Sequence, residues 1–345
     1  MAQIAQFRAL CNTLKMGHCA PAVMRALQGF AGVEDRKILK LTSGMPGGIG
    51  WMGAECGCIT SPIMALGIRY AEGFQRNEEE IPRALLIGRR YVERFRTLYG
   101  GVNCREIARL DFNDKKAVKD NLIRSYLHCF RAIYGAPGLL RDLSEEGVET
   151  APAGRDRESI KVYGKVLESF RDLRFHCSHS VLDQLRDIIP VDDKILQASW
   201  GFLGGTLLLG MTCSALVGGI LAVGLRFGEI EESFGRVLKG MIQLFRDGDI
   251  KREEANKFNR TINLAQELAI WFEKKFGYTK CYDLIKVDFK TSEGVDQYLS
   301  ENKMNHCTKI AEKTAEKIRE IIKKFHQKPE EVHSSISLLL TKAES

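Results

Sequence analysis

The chain repeats itself. Slid along its own sequence by 157 residues, segment 35–70 lies over 192–227 without a gap. Gly44, Gly47, Gly48, Gly53, Cys56, Gly67 and Arg69 then fall on Gly201, Gly204, Gly205, Gly210, Cys213, Gly224 and Arg226. A match this dense in glycines marks a duplication, and a duplicated sequence folds as two copies of one unit. It continues with small gaps: GHCAPAVM around Cys19 answers FHCSHSVL around Cys177, RFRTLYGGVNC ending at Cys104 answers IWFEKKFGYTKC ending at Cys281, and Cys129 answers Cys307. The intervals between successive cysteines are 37, 48 and 25 residues in the first copy and 36, 68 and 26 in the second. The extra length falls in one polar stretch, GMIQLFRDGDIKREEANKFN, so an insertion is expected near 240–260.

Apolar residues recur at three- and four-residue spacing in YVERFRTLY, NLAQELAIWFEKKF and TKIAEKTAEKIREIIKKF, and no segment sustains strand alternation. The expected fold is all-α: two tandem homologous helical modules in a pseudo-twofold arrangement, each of four to six helices. Copy 1 is expected over 1–140, a charged Pro- and Gly-bearing linker over 141–158, copy 2 over 159–325 and a peripheral tail over 326–345. Residues 195–225 carry no charge and are long enough to span a bilayer, but their counterpart carries Lys40 and Glu55. Two buried helices joined by a glycine turn fit both copies, so no membrane insertion is expected.

At 345 residues the chain can bury cores without disulfide staples, and no secretory signal opens it, so a reducing cytoplasm is the expected setting. There, ten cysteines point to metal ligands or reactive thiols. The net charge of +7 is spread among interleaved acids and bases, which reads as a solvated face and argues against nucleic acid, while the mild basic bias hints at an acidic protein partner. GMPGGIG follows no strand and precedes no GK[ST], so a tight turn is expected rather than a phosphate loop. HExxH and a nucleophile elbow are absent.

Eight cysteines belong to the repeated set: Cys19, Cys56, Cys104 and Cys129, then Cys177, Cys213, Cys281 and Cys307. Any one alone would read as a small buried hydrophobe. Recurring in register, four thiolates converging from separate helices would make a soft site suited to iron–sulfur or zinc. Four of the seven histidines directly precede a repeated cysteine: His18, His128, His176 and His306. Neighbours on a helix point about 100° apart, so these imidazoles are expected to tune sulfurs rather than share a metal with them. Cys58 is assigned an accessory role, and Cys11 lies outside the repeat. No C-x-x-C-H occurs, so no covalent haem is expected.

The cysteine of GHCAPAVM, the stretch LTSGMPGGIGWMGAECGCITSPIMALGIRYAEG, NCREI and a last cysteine together resemble the redox-active C-GCAxxG-C-C family, named for its four cysteines. The resemblance covers 1 to about 135 and about 160 to 325. Copy 1 departs from the family's central motif with Cys58 and Ser61, whereas copy 2 keeps Ala215 and Gly218 but has Ser214 in place of glycine. The module is similar to that of split-Soret cytochromes, where comparable cysteines hold an iron–sulfur cluster beside haem. The resemblance implies a haem-free electron carrier with one or two clusters on the eight repeated cysteines. The alternatives are a metal-free thiol–disulfide or sulfur-handling protein and a zinc-stabilised scaffold. Its partner would be an acidic carrier or an oxidoreductase, and its state a pseudo-dimeric monomer or a homo-oligomer.

Overall fold

The structure is a computed structural model that describes residues 2–70, 80–146, 164, 176–253 and 256–326. The first half forms α1 (Ala2–Met16), α2 (Cys19–Ala31), α3 (Arg36–Leu41), α4 (Gly57–Tyr70), α5 (Glu80–Tyr99), α6 (Cys104–Ala108) and α7 (Lys115–Glu145). The second forms α8 (Cys177–Asp183), α9 (Asp193–Ser199), α10 (Ser214–Phe227), α11 (Phe234–Asp247), α12 (Lys257–Phe276), α13 (Cys281–Ile285), α14 (Ser292–Ser300) and α15 (Lys303–His326). No strand occurs among the described residues. Two isolated antiparallel bridges, Glu55–Asn103 and Thr212–Lys280, occupy equivalent places in the copies. The all-α fold of two helical modules is therefore correct, and the helices outnumber the four to six expected because short ones such as α6 and α13 lie below the reach of periodicity.

Equivalent residues do equivalent work. Asp35 and Asp192 cap α3 and α9 by accepting from the backbone N–H of Lys37 at 2.8 Å and Ile195 at 3.1 Å. Between α3 and α4, residues 47–51 all carry positive φ, as do 204–208 between α9 and α10. These are left-handed turns, a conformation that costs an L-residue about 1–2 kcal/mol. Glycine relieves part of that cost at 47, 48 and 50; copy 2 keeps Gly204 and Gly205 but holds Leu207 at the third place. The same bonds close both turns: Gly50 N–H to Gly44 O and Leu207 N–H to Gly201 O, Ala54 N–H to Gly48 O and Met211 N–H to Gly205 O.

The copies pack reciprocally. α3 lies on α10, and α9 lies on α4. Gly224 meets the Lys40 carbonyl, where a Cβ would come within 2.6 Å, and Gly67 meets the equivalent Gln197 carbonyl. Gly44 sits against Ile220, and Gly201 against Ile63. Such exchange of equivalent contacts is what a twofold interface produces. One continuous core runs through both halves. The uncharged run 195–225 resolves into α9, the turn and α10. Among the described residues no helix is long and apolar enough to cross a membrane.

One boundary differs from expectation. α7 continues to Glu145, through the start of the expected linker, because its apolar face keeps packing as far as Leu143. The insertion in copy 2 lies between α10 and α12 and contains α11, which packs on α1 and α7 of copy 1. The rest of the linker and tail residues 327–345 lie outside the described residues.

Candidate cysteine chambers

Six of the eight repeated cysteines stand at helix starts. Cys19, Cys104, Cys177 and Cys281 are the first residues of α2, α6, α8 and α13, while Cys56 and Cys213 immediately precede α4 and α10. Free N–H groups and the positive end of the helix dipole favour thiolate at such places. The left-handed turns set the depth of the inner cysteines. A Cβ on Gly48 would lie 2.7 Å from Cys104 Cβ, and one on Gly205 2.7 Å from Cys281 Cβ. The bridges fix them laterally: Cys56 N–H donates to Val102 O at 2.9 Å and Cys213 N–H to Thr279 O at 2.8 Å. Cys129 and Cys307 come from the interiors of α7 and α15.

In copy 2, Cys177, Cys213, Cys281 and Cys307 line one small cavity with Ile310 and Leu284. Cys177 and Cys307 hydrogen-bond each other, which raises the Cys177 thiol and lowers Cys307. Burial pushes Cys213 up to about 12 and Cys281 well above its usual range. In copy 1 the Cys19 thiol hydrogen-bonds with Cys56 and Cys58, and these contacts hold it well below the usual thiol range. The same contacts push Cys56 and Cys58 up. Burial raises Cys104, and raises Cys129 to about 12. The structure thus brings each repeated set together and places Cys58 inside the first group. Its signal in the sequence was the one-residue spacing from Cys56. Cys11 is half-buried on α1.

His18 and His176 hydrogen-bond to groups other than sulfur. Both precede their helices in extended conformation, with φ −136° and −142°. His18 Nε2 pairs with Asn259 Oδ1 of copy 2 at 3.1 Å and packs edge-on to Trp51 and Phe258. His176 Nε2 pairs with Trp200 O at 3.0 Å and stacks on His179, ring centroids 4.0 Å apart. Burial lowers His18 and His179 to about 4, and lowers His176 well below its usual value. His128 is half-buried on α7 and His306 exposed on α15.

Between the chambers lies a contact that sequence reading missed. Glu55 is 1% exposed and accepts from Thr212 N–H at 2.8 Å, Thr212 Oγ1 at 2.5 Å and Thr206 Oγ1 at 3.5 Å. Glu55 and Thr212 are themselves equivalent positions, so their meeting marks the pseudo-twofold axis. Each directly precedes a chamber cysteine, Cys56 or Cys213. Above them opens a cleft of about 810 Å³, with Arg96, Arg105 and Asn103 on one side and Lys280, Glu273 and Asp283 on the other.

Among the described residues no group of three or more His, Cys, Asp or Glu side chains is arranged to hold a metal ion. No curated protein and no solved structure matches the chain. A family model described as "Putative redox-active protein (C_GCAxxG_C_C)" matches residues 17–142 and again 175–321, spanning both chambers. The chain therefore belongs to the C_GCAxxG_C_C family of redox-active proteins, as two tandem copies.

Proposed function

We propose that the chain is an electron carrier in which the four cysteines of each copy hold one iron–sulfur cluster. The observation that carries this reading is the convergence of Cys177, Cys213, Cys281 and Cys307 on one desolvated cavity, from four separate helix starts and interiors. Copy 1 offers the equivalent four, mutually close enough for Cys19, Cys56 and Cys129 to perturb Cys104. Four thiolates are the ligand set of two- and four-iron clusters, and in the two-iron case each iron takes two. The hydrogen-bonded thiol pairs, Cys19 with Cys56 and Cys177 with Cys307, suit that two-by-two division.

A bound cluster would supply one-electron transfer. The chain's own residues would ligate it, donate backbone N–H bonds to its sulfurs from the helix starts, and exclude water with walls such as Ile310 and Leu284. Thiols held protonated by burial, Cys104, Cys129, Cys213 and Cys281 among them, would release protons on loading.

A second reading rests on copy 1 alone. Cys19, Cys56 and Cys58 form a hydrogen-bonded group around a stabilised thiolate. Cys19 attacking an external disulfide, followed by attack of Cys58 on the mixed disulfide, would pass two electrons to that acceptor and leave a Cys19–Cys58 bond.

Anaerobic purification from iron-replete cells tests both. The cluster reading expects a brown protein that bleaches with dithionite, with iron and acid-labile sulfide sufficient for two clusters, halved by Cys177→Ser or by Cys19→Ser. Colourless protein overturns it. A disulfide that then forms in copy 1 and not in copy 2 establishes the thiol reading.

A further inference from the structure

We infer that the outer layer formed by α1, α7 and α11 docks on an anionic lipid surface. Ten of the sixteen large hydrophobic side chains exposed among the described residues lie on these three helices. On α11 they are Phe234, Leu238, Ile242 and Phe245, 56%, 48%, 55% and 38% exposed. At 100° per residue these four fall within an arc of about 80°. The neighbouring arc carries Val237 and Leu244, which are buried, Leu244 packing on Val118 and Leu122 of α7. The helix is thus apolar toward the protein and apolar toward solvent, with Lys239 and Arg246 at the edge of the outer stripe.

The three helices form one raft, α11 and α1 packing along α7 and meeting end to end. α11 runs antiparallel to the first half of α7, since Gly248 lies on Lys115, Lys115 pairs with Asp249 at 2.7 Å, and the start of α11 bonds the end of α1 through Ser233 N–H to Lys15 O. α1 runs antiparallel to the second half, with Gln6 against Gly138. With 31 residues in α7 the raft is about 45 Å long. Phe7 on α1 and Ile123 on α7, both 65% exposed, extend the apolar surface beyond α11.

Charge decides what covers it. The raft carries eleven Lys or Arg against four Asp or Glu, an excess equal to the +7 of the whole chain, so the remaining residues balance. Arg8, Lys116, Lys119, Arg124, Lys239 and Arg246, all exposed, share these helices with the apolar side chains. A second copy would present the same positive face and be repelled. A bilayer of anionic lipid matches both features, taking the apolar side chains below its headgroups and the cations among them. The raft is independent of the redox reading, because none of the six named cations and apolar anchors belongs to a chamber.

Co-sedimentation of the full chain with phosphatidylglycerol vesicles and with phosphatidylcholine vesicles tests this. Binding to the anionic vesicles is expected to be at least roughly tenfold stronger and to weaken with salt. The double variant F234S/I242S should lose about tenfold without change in helical content or melting, because both side chains face solvent. The triple charge reversal K119E/K239E/R246E should abolish the preference for anionic lipid. No pelleting with phosphatidylglycerol at low salt overturns the proposal. So does binding to both vesicles that F234S/I242S leaves unchanged. A wild-type dimer that this variant converts to monomer also overturns it, and assigns the face to a second copy.

Discussion

The two cysteine chambers share a backbone and differ in which thiols meet. In copy 1 the first cysteine, Cys19, is held by the second, Cys56, and by Cys58. In copy 2 the first, Cys177, is held by the fourth, Cys307, which also hydrogen-bonds with Tyr298. Two side chains account for the difference. Gly57 leaves open the space over the start of α4, where a Cβ would lie 2.6 Å from Cys19 Sγ. Ser214 fills the equivalent space, and its hydroxyl is tied to Phe202 O. Ala215 then removes the third thiol that Cys58 supplies. Duplication fixed where the sulfurs sit, and small residues beside them set their partnerships.

The largest effect is expected at the axis that joins the chambers. Thr212→Glu sets a second carboxylate against Glu55 in a dry site and removes a hydroxyl donor, so about 3–5 kcal/mol of stability should be lost in urea unfolding. The swap E55T/T212E restores the carboxylate–hydroxyl pair without the Thr206 bond, whose counterpart is Ile49, and should recover all but about 1.5 kcal/mol. Tolerance of the single change, or a swap no better than it, would show that the copies are not coupled through this pair.

Acid should separate the copies next. His18 and His179 are held near 4 by burial, so between about 4 and 6.5 the unfolded chain binds more protons than the folded one. Stability is then complete above pH 6.5 and falls as pH drops toward 4. At pH 5 each buried imidazole withdraws about 2 kcal/mol. Copy 2 buries His176 as well as His179, and copy 1 only His18. In the reduced, metal-free chain, hydrogen exchange followed from pH 7 to 5 should show copy 2 opening first. Equal protection in both copies would break the assignment.

Much of this was legible at an offset of 157 residues: the all-α duplication as two tandem modules, and which eight cysteines recur in register. The rest depended on tertiary partners. Nothing local in Thr206-Leu207-Leu208 announces three left-handed residues, because the turn is held from afar by Arg89, which donates to the carbonyls of Leu207 and Leu208. The hydrogen-bond partners of His18 and His176, Asn259 and the Trp200 carbonyl, come from distant segments that no local pattern announces. Glu55 had a readable signal: a lone acid in an apolar segment whose repeat carries a hydroxyl donor, Thr212. Cys58 looked spare only because Ala215 replaces it in the repeat.

Making copy 1 resemble copy 2 at Gly57 tests the account of the thiol partnerships. Gly57→Ser puts a Cβ against Cys19 Sγ and the Ala20 backbone, and should cost about 1–3 kcal/mol as overpacking does. Cys19 should then leave Cys56, which alkylation rates of the reduced chain would register as a slower Cys19 with Cys177 unchanged.

Cys58→Ala is the mildest change and the sharpest comparison, because Ala215 already occupies that place in copy 2. Stability should change by less than about 1.5 kcal/mol, since the side chain loses only its sulfur and the Tyr91 hydroxyl bond to the residue 58 carbonyl survives. What should change is Cys19. Losing one donor to its thiolate removes a charge-assisted hydrogen bond, so the midpoint of Cys19 ionisation should rise by about one pH unit. The pH profile of Cys19 alkylation reads this directly, with Cys177 as internal reference. If the profile shifts upward, one side chain separates the two chambers chemically. If it stays, Cys56 and the Gly57 N–H hold the thiolate without Cys58, and the chambers differ only in which sulfurs are neighbours.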